Sequence, residues 1–156
     1  MNTRTRCSIA ASLVVVLMQF AGPDRTNPPE TGGAAFDRDL DAILSESCYD
    51  CHSHRTRWPW YSRVAPVSWY VVGHVNRARE KLNFSAWSNL PRSERRYKAE
   101  AMGKEIEAGR MPLPSYRLLH PASTLTPEER SAVKTWIDSV RSDATHEPAR
   151  QEGHRP

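Results

Sequence analysis

Cys48, Cys51 and His52 stand together in the run CYDCH, and this spacing is typical of covalent haem attachment. Two thiols on one helical turn can each form a thioether with a vinyl group of the same porphyrin. The imidazole that follows at once then lies beneath the iron and supplies an axial bond. The motif therefore predicts one covalent haem c per chain, attached through Cys48 and Cys51 and ligated by His52.

Other uses of a Cys-x-x-Cys pair are zinc binding, thioredoxin-like redox chemistry and a plain disulfide. A structural zinc site needs two further ligands, and the sequence holds no second Cys-x-x-Cys or paired histidines; His54 lies on the same loop. A thioredoxin-like pair expects a preceding strand, whereas an amphipathic helix leads into this motif. A disulfide suits an exported chain. The trailing histidine favours haem over all of them.

The sixth iron ligand has few candidates. Met111 lies in GRMPLPSY, between a helix-ending glycine and two prolines, on a stiff loop that could hold its thioether at a fixed distance from the iron. Met102 is predicted inside a helix, where methionine usually fills gaps in the core. His74, beside a helical stripe, and His120, before the last helix, remain alternatives. Met111 is the favoured distal ligand, so His52 and Met111 are the predicted metal ligands.

A helix is predicted to deliver the motif. Phe36, Leu40, Ile43 and Leu44 recur at helical spacing and lie on one face of a helix that runs directly into CYDCH.

Two more helices are predicted in the middle of the chain. One spans residues 66–83, with Pro66 in its first turn, and the other spans the highly charged residues 91–108 and ends at Gly109. The buried stripe of the first is expected to comprise Val67, Val71, Val75, Ala78 and Leu82, and the thin apolar face of the second Tyr97, Ala101 and Ile106.

The last helix carries the clearest signals. Thr126 is an N-cap, Pro127 takes the first helical position and Glu129 completes a capping box. Its core face comprises Val133, Trp136, Ile137 and Val140.

The chain divides into four predicted regions. Residues 1–21 read as a signal peptide or an N-terminal membrane anchor, because Arg4 and Arg6 precede an uncharged apolar run. Residues 22–35 form a proline-rich tether without packed structure of its own. The haem-binding domain covers 36–142, and the polar residues 143–156 form a disordered tail. The expected location is the periplasm, either soluble or anchored to the inner membrane.

The composition favours an all-α fold and argues against nucleic-acid binding. Among 156 residues, Gly is scarce at 7, Pro reaches 12, and turn pairs typical of hairpins are missing. The net charge of +4 is spread along the chain, which describes a mildly basic surface.

The segment from His54 to Trp87 is rich in large aromatic side chains, including four of the five tryptophans. Such rings could wall a porphyrin, although ordinary packing explains them equally well. Arg55, Arg57 and Arg63 could pair with the haem propionates, but none is named as a site residue.

Several motifs resemble those of a known family. The run CYDCHSHRTRWPWYSRVAPVSWYVVGHVNRAREKLNFSAW resembles the bacterial haem-binding domain family of small exported c-type cytochromes, and GRMPLPSYRLLHPASTLTPEERSAVKTWI resembles the distal loop and final helix of class I cytochromes c. The likeness covers residues 25–138. It implies an all-α cytochrome c-like fold around one covalent haem, with Cys48, Cys51 and His52 as the attachment and proximal positions and Met111 as the distal one. The long aromatic segment departs from ordinary class I proteins.

The expected function is single-electron transfer between redox partner proteins, with membrane contact through the N-terminal segment. No acid/base pair typical of an enzyme is present, since Glu100, Glu105 and Glu107 lie on a charged helix. The alternatives are a haem enzyme or a gas or redox sensor with an open or labile sixth iron position, and a non-redox module with zinc or a disulfide at CYDCH.

Overall fold

The computed structural model describes residues 2–143, and within them all regular structure is helical. The predicted all-α class is therefore confirmed for this part of the chain, whereas the predicted disordered tail, apart from Asp143, lies outside it. The α-helices are α1 (Thr3–Met18), α2 (Arg38–Ser47), α3 (Tyr49–His52), α4 (Val67–Lys81), α5 (Arg92–Glu107), α6 (Pro114–Leu119) and α7 (Pro127–Asp143). Short 3₁₀ turns cover Trp60–Arg63, Phe84–Asn89 and Pro121–Ser123.

Helix α2 forms where the apolar spacing predicts it. The Asp37 carboxylate caps its N-terminus by accepting a 2.9 Å hydrogen bond from the Leu40 amide. Leu40 and Leu44 are buried. The helix ends at Cys48, whose φ of −130° and ψ of −37° break the helical path, so α3 starts in a new direction.

Helix α4 has the predicted position, and of its predicted stripe Val75 and Leu82 are buried. Ser68, Val72 and Val75 are buried, whereas Val67 is 43% exposed. The helix packs against α3 and the turn Trp60–Arg63, and these neighbours cover the side of the helix that begins at Ser68. The expectation that Val67 is buried is therefore wrong.

Helix α5 packs against α7. Ala99, Met102 and Ile106 are its buried side chains, whereas Tyr97, expected on the apolar face, is 72% exposed. The contact with α7 selects the face that carries Ala99 and Met102. Met102 is a core residue, as predicted.

The predicted C-terminal end of α5 and the predicted N-terminal start of α7 are both confirmed. Gly109 adopts a φ of +68° directly after α5, a conformation that glycine accepts without strain. At the start of α7 the Glu129 amide donates to Thr126 Oγ1 at 3.2 Å, and the Thr126 amide donates to the Glu129 carboxylate at 2.8 Å.

One hydrophobic core joins these elements. It is formed by Leu40, Leu44, Tyr49, Leu82, Phe84, Trp87, Ala99, Met102, Ile106, Leu125, Val133 and Ile137. The predicted core positions Trp136 and Val140 of α7 are partly buried against it.

Residues 22–35, which we name the N-terminal strap, are extended as expected but are bound to the domain along their length. Thr31 and Gly32 amides donate to the Ser85 carbonyl at 3.2 and 3.1 Å, and the Ala34 amide donates to the Phe84 carbonyl at 3.0 Å. The segment has no regular structure of its own, as expected, but these contacts make it part of the domain rather than a free tether. An extended, proline-rich chain leaves its backbone polar groups free, and the domain supplies their partners.

Helix α1 precedes the strap and contains no buried residue. Among residues 2–143, no helix combines the length and hydrophobicity needed to cross a membrane.

The strap generates a stability prediction at Ser85. This hydroxyl is 1% exposed, donates to the Glu30 carboxylate at 2.7 Å and accepts from the His54 amide at 2.9 Å. Ser85→Ala removes a partner of the partly buried His54 amide and of the Glu30 carboxylate, and it should lower the free energy of unfolding by about 1–3 kcal/mol, measured by urea denaturation. The exposed Ser93→Ala is the control and should change it by less than about 0.5 kcal/mol. Equal effects of the two substitutions would show that the strap does not stabilise the domain.

Candidate cofactor site

The CYDCH motif forms one tight turn at the end of α2. The amides of Cys51 and His52 both donate to the Cys48 carbonyl, at 3.2 and 2.9 Å. As a result Cys48, Cys51 and His52 line the same cavity, whose volume is about 260 Å³. The structure thus brings together the three residues that the motif analysis singled out.

The His52 ring is held by the C-terminal end of α4. Its Nδ1 lies 3.1 Å from the Ala78 carbonyl oxygen and 3.0 Å from the Leu82 carbonyl oxygen. Carbonyls only accept hydrogen bonds, so Nδ1 carries the proton and Nε2 keeps its lone pair. Burial lowers the pKa of His52 against the opposing effect of these two hydrogen bonds. The imidazole is therefore neutral and oriented, which is the form that binds a metal.

The two variable residues of the motif position it. Tyr49 is buried in the core, and its hydroxyl donates to the Asp41 carboxylate at 2.6 Å. Asp50 accepts from the Arg57 amide at 2.8 Å and from the Tyr116 hydroxyl at 2.6 Å. Burial and the bond to Asp50 raise the pKa of Tyr116. Sequence reasoning missed these residues, because the pattern Cys-x-x-Cys-His leaves both positions unspecified.

A second and larger cavity, of about 820 Å³, adjoins the first. Phe84, Met102, Ile106 and Leu125 give it an apolar wall. The two cavities share the residues Ser47, Cys48, His52, Arg77, Lys81, Met111 and Pro112. Together they form a large, mostly apolar space beside the two thiols and the His52 imidazole.

Met111 lies on the loop between α5 and α6. The amides of Arg110 and Met111 both donate to the Glu105 carbonyl, at 3.0 and 3.2 Å, at the end of α5. On the other side, α6 is tied to the motif by the bond from Tyr116 to Asp50. Met111 is partly buried against the core and lines both cavities.

The two histidine alternatives have different surroundings. His74 lines the same cavity as His52 and Met111, and its buried Nδ1 has no hydrogen-bond partner. Burial, and then the charge of Arg77, lower the pKa of His74. His120 stacks on Tyr116 at 4.2 Å and lines neither cavity that contains His52.

Comparison with known proteins agrees with this geometry. The profile of the family described as haem-binding domain matches residues 13–139. The chain belongs to this haem-binding family. Comparisons with curated proteins and with solved structures gave no significant match.

The cavities fit the cofactor that the family binds. A haem requires an apolar space, an oriented neutral imidazole and polar groups for its carboxylates. Burial raises the pKa of Cys48 to about 12 and that of Cys51 to about 11, so both thiols of the haem-binding domain are neutral at pH 7. The two thiols form no disulfide in this structure.

The positive side chains of the haem-binding domain are divided into paired and unpaired groups. Arg55 binds Glu30, and Arg57 binds Asp50, so two of the arginines expected near propionates are already engaged. Arg77 and Lys81 line both cavities. Within residues 2–143 neither of them forms an ion pair with an acidic side chain.

The tryptophans of the aromatic segment do not line the two cavities that contain His52. Trp87 is buried in the core, whereas Trp60 is 76% exposed. The aromatic residues at the cavities are instead Phe84, Tyr97 and Tyr116. The tryptophans therefore do not wall the two cavities that contain His52, and Trp87 is a core residue.

Proposed function

We propose that this haem-binding protein is a periplasmic mono-haem c-type cytochrome that transfers single electrons between redox partner proteins and is not an enzyme. The observation that carries the proposal is the convergence of Cys48, Cys51 and a neutral, oriented His52 on one cavity, with Met111 on its wall. Thiols and imidazole in this arrangement fit covalent attachment and proximal ligation.

Each residue of the motif has a separate task in this proposal. Cys48 and Cys51 provide the two thiols, and the shared bonds to the Cys48 carbonyl hold the turn in shape. His52 directs Nε2 toward the cofactor, because Nδ1 is fixed by Ala78 and Leu82. His52 and Met111 would hold a haem that supplies one-electron redox chemistry, and together they would leave no coordination position for a substrate.

Met111 is the proposed distal ligand. It shares both cavities with His52, and its loop is tied to α5 at one end and to the CYDCH turn at the other. His74 remains the alternative, because its unpartnered Nδ1 is buried beside the same cavity. A haem enzyme or sensor, in which His74 hydrogen-bonds a ligand at an open sixth position, is the second candidate function that this observation favours.

Arg77 and Lys81 are the proposed partners of the haem propionates. They lie one helical turn apart on α4, and Ala78, whose carbonyl contacts His52, directly follows Arg77. Both side chains are exposed at the cavity rim, where carboxylates remain partly hydrated. An arginine and a lysine there would offset the two negative charges.

The proposed location is the periplasm, with the N-terminal segment retained as a membrane anchor. Arg4 and Arg6 precede the uncharged run of α1. The family match begins at residue 13, inside that helix. Removal of the segment as a signal peptide is the alternative.

The first prediction concerns attachment. Cys48→Ala and Cys51→Ala each remove one thioether and should weaken or abolish the haem stain of the denatured protein on a gel, after expression with cytochrome c maturation machinery. Cys7→Ala is the matched control and should keep the full stain, because Cys7 lies on exposed α1. Full staining of both motif variants would contradict covalent attachment.

The second prediction separates the distal candidates. Met111→His should lower the reduction potential by on the order of 0.1 V, within the ~0.8 V range that axial ligands span, and remove the weak long-wavelength band of sulfur-ligated ferric haem. His74→Ala should leave that band unchanged.

If the His74→Ala variant lost the six-coordinate haem spectrum and the Met111→Ala variant kept it, His74 would be the distal ligand. A Soret shift when reduced wild-type protein meets carbon monoxide would instead support the enzyme or sensor alternative.

The third prediction concerns the propionates. Arg77→Gln and Lys81→Gln each remove a positive charge, so the reduction potential should fall and the propionate pKa should rise by about 1 unit. A titration of potential against pH measures both. Arg63→Gln is the control, since Arg63 is exposed and lines neither cavity that contains His52. Identical titrations of all three variants would remove Arg77 and Lys81 from this role.

A further inference from the structure

An exposed apolar surface lies around the start of α4. Trp60 is 76% exposed, Tyr70 60%, and Val64 and Val67 are each 43% exposed. Trp60, Val67 and Tyr70 line one groove of about 420 Å³, and Val64 directly follows the turn Trp60–Arg63. We name these four residues the aromatic face. Contiguous apolar surface of this kind marks a site of interaction.

The end of α1 is fixed to the domain at the aromatic face. The Gln19 side chain accepts from the Ala65 amide at 2.9 Å and donates to the Ala65 carbonyl at 3.4 Å. Trp69 Nε1 donates to the Ala21 carbonyl at 3.2 Å. Because α1 ends at Met18 and Gln19 follows directly, the helix is joined to Ala65 without an intervening linker. Ala65 lies between Val64 and Val67 in the sequence. The position of α1 therefore sets the position of the aromatic face.

Helix α1 is apolar on every side in its second half. Its large side chains, including Ile9, Leu13 and Leu17, are more than half exposed, and no charged residue occurs between Arg6 and Asp24. A helix that is hydrophobic all round is covered either by a protein core or by lipid. Within residues 2–143 the protein does not cover it.

Charge also distinguishes a membrane from other occupants. Arg63, in the turn that carries Trp60, is exposed, whereas Arg55 and Arg57 are engaged by Glu30 and Asp50. A surface of tryptophan, tyrosine and arginine matches the boundary between lipid chains and anionic headgroups. Trp and Tyr place an apolar ring and a polar atom on the two sides of that boundary.

We propose that the aromatic face binds the surface of a phospholipid bilayer into which α1 inserts without spanning it, so that the domain is oriented on the membrane and not merely tethered to it. This rests on the proposed membrane location of the N-terminal segment. Cys51 and His74 line the same groove as Trp60 and Tyr70, so one edge of the cofactor site faces the membrane in this orientation.

Spin labels on the full-length haem protein test the orientation. Single cysteines replace Val64, Val67, Val14 or Ala132 in a Cys7→Ser background, and each protein is added to vesicles of phosphatidylethanolamine and phosphatidylglycerol. Val14 reports on α1, and the exposed Ala132 on α7 is the aqueous control. The measurement is the accessibility of each nitroxide to oxygen, which concentrates in lipid, relative to a water-soluble nickel complex.

We expect vesicles to raise the oxygen-to-nickel accessibility ratio several-fold at positions 14, 64 and 67, and to leave position 132 unchanged. Adding Trp60→Asp should lower the oxygen-to-nickel accessibility ratio at positions 64 and 67 toward its value in water. The ratio at position 14 should stay high.

If the label at position 14 reported lipid and the labels at 64 and 67 reported water, the proposal would be wrong. The membrane anchor would still hold, and the aromatic face would then be a candidate site for a protein partner. An aqueous signal at 14 would overturn the anchor and the proposal together. The haem spectrum of every sample shows separately whether the cytochrome assignment holds.

Discussion

The candidate site depends on the hydrogen bonding of His52 Nδ1 to two carbonyls, that of Ala78 in the last turn of α4 and that of Leu82 directly after it. A buried imidazole is costly unless its N–H is satisfied, and Ala78 and Leu82 satisfy it. The same contact ties the CYDCH turn to α4, which brings Arg77 and Lys81 to the cavity. The orientation of the proposed ligand and the composition of the cavity wall therefore share one structural cause.

Arg79 provides a second connection, which links the CYDCH turn to the N-terminal strap. The Arg79 guanidinium donates to the Ser53 carbonyl at 2.8 Å, directly after the motif, and to the Thr26 carbonyl at 3.0 Å in the N-terminal strap. Burial lowers the pKa of Arg79. Three segments that are distant in sequence thus meet at one side chain, and the strap becomes part of the support of the site rather than a spacer between α1 and the domain.

The signals that could be read from the sequence are local. CYDCH, the capping box of Thr126 and Glu129, and the glycine after α5 are each complete within a few residues, and the structure contains all three turns. Features set by distant neighbours were predicted less well. The exposed Val67 and Tyr97 follow from which face of α4 and α5 meets another element, and periodicity alone does not determine that. The strap was missed for the same reason, since its partners lie some 30 to 60 residues away.

Asp50 shows how an unspecified motif position can matter. Its carboxylate binds Arg57 beside the motif and Tyr116 on α6, and the loop before α6 carries Met111. One side chain inside CYDCH therefore limits the motion of the loop that holds the proposed distal ligand. Electron transfer is favoured when the surroundings of the redox centre reorganise little, because fixed dipoles need not be rearranged as the charge changes. A direct link between the two sides of the cavity supplies that rigidity, which a sensor with a labile sixth ligand would not need.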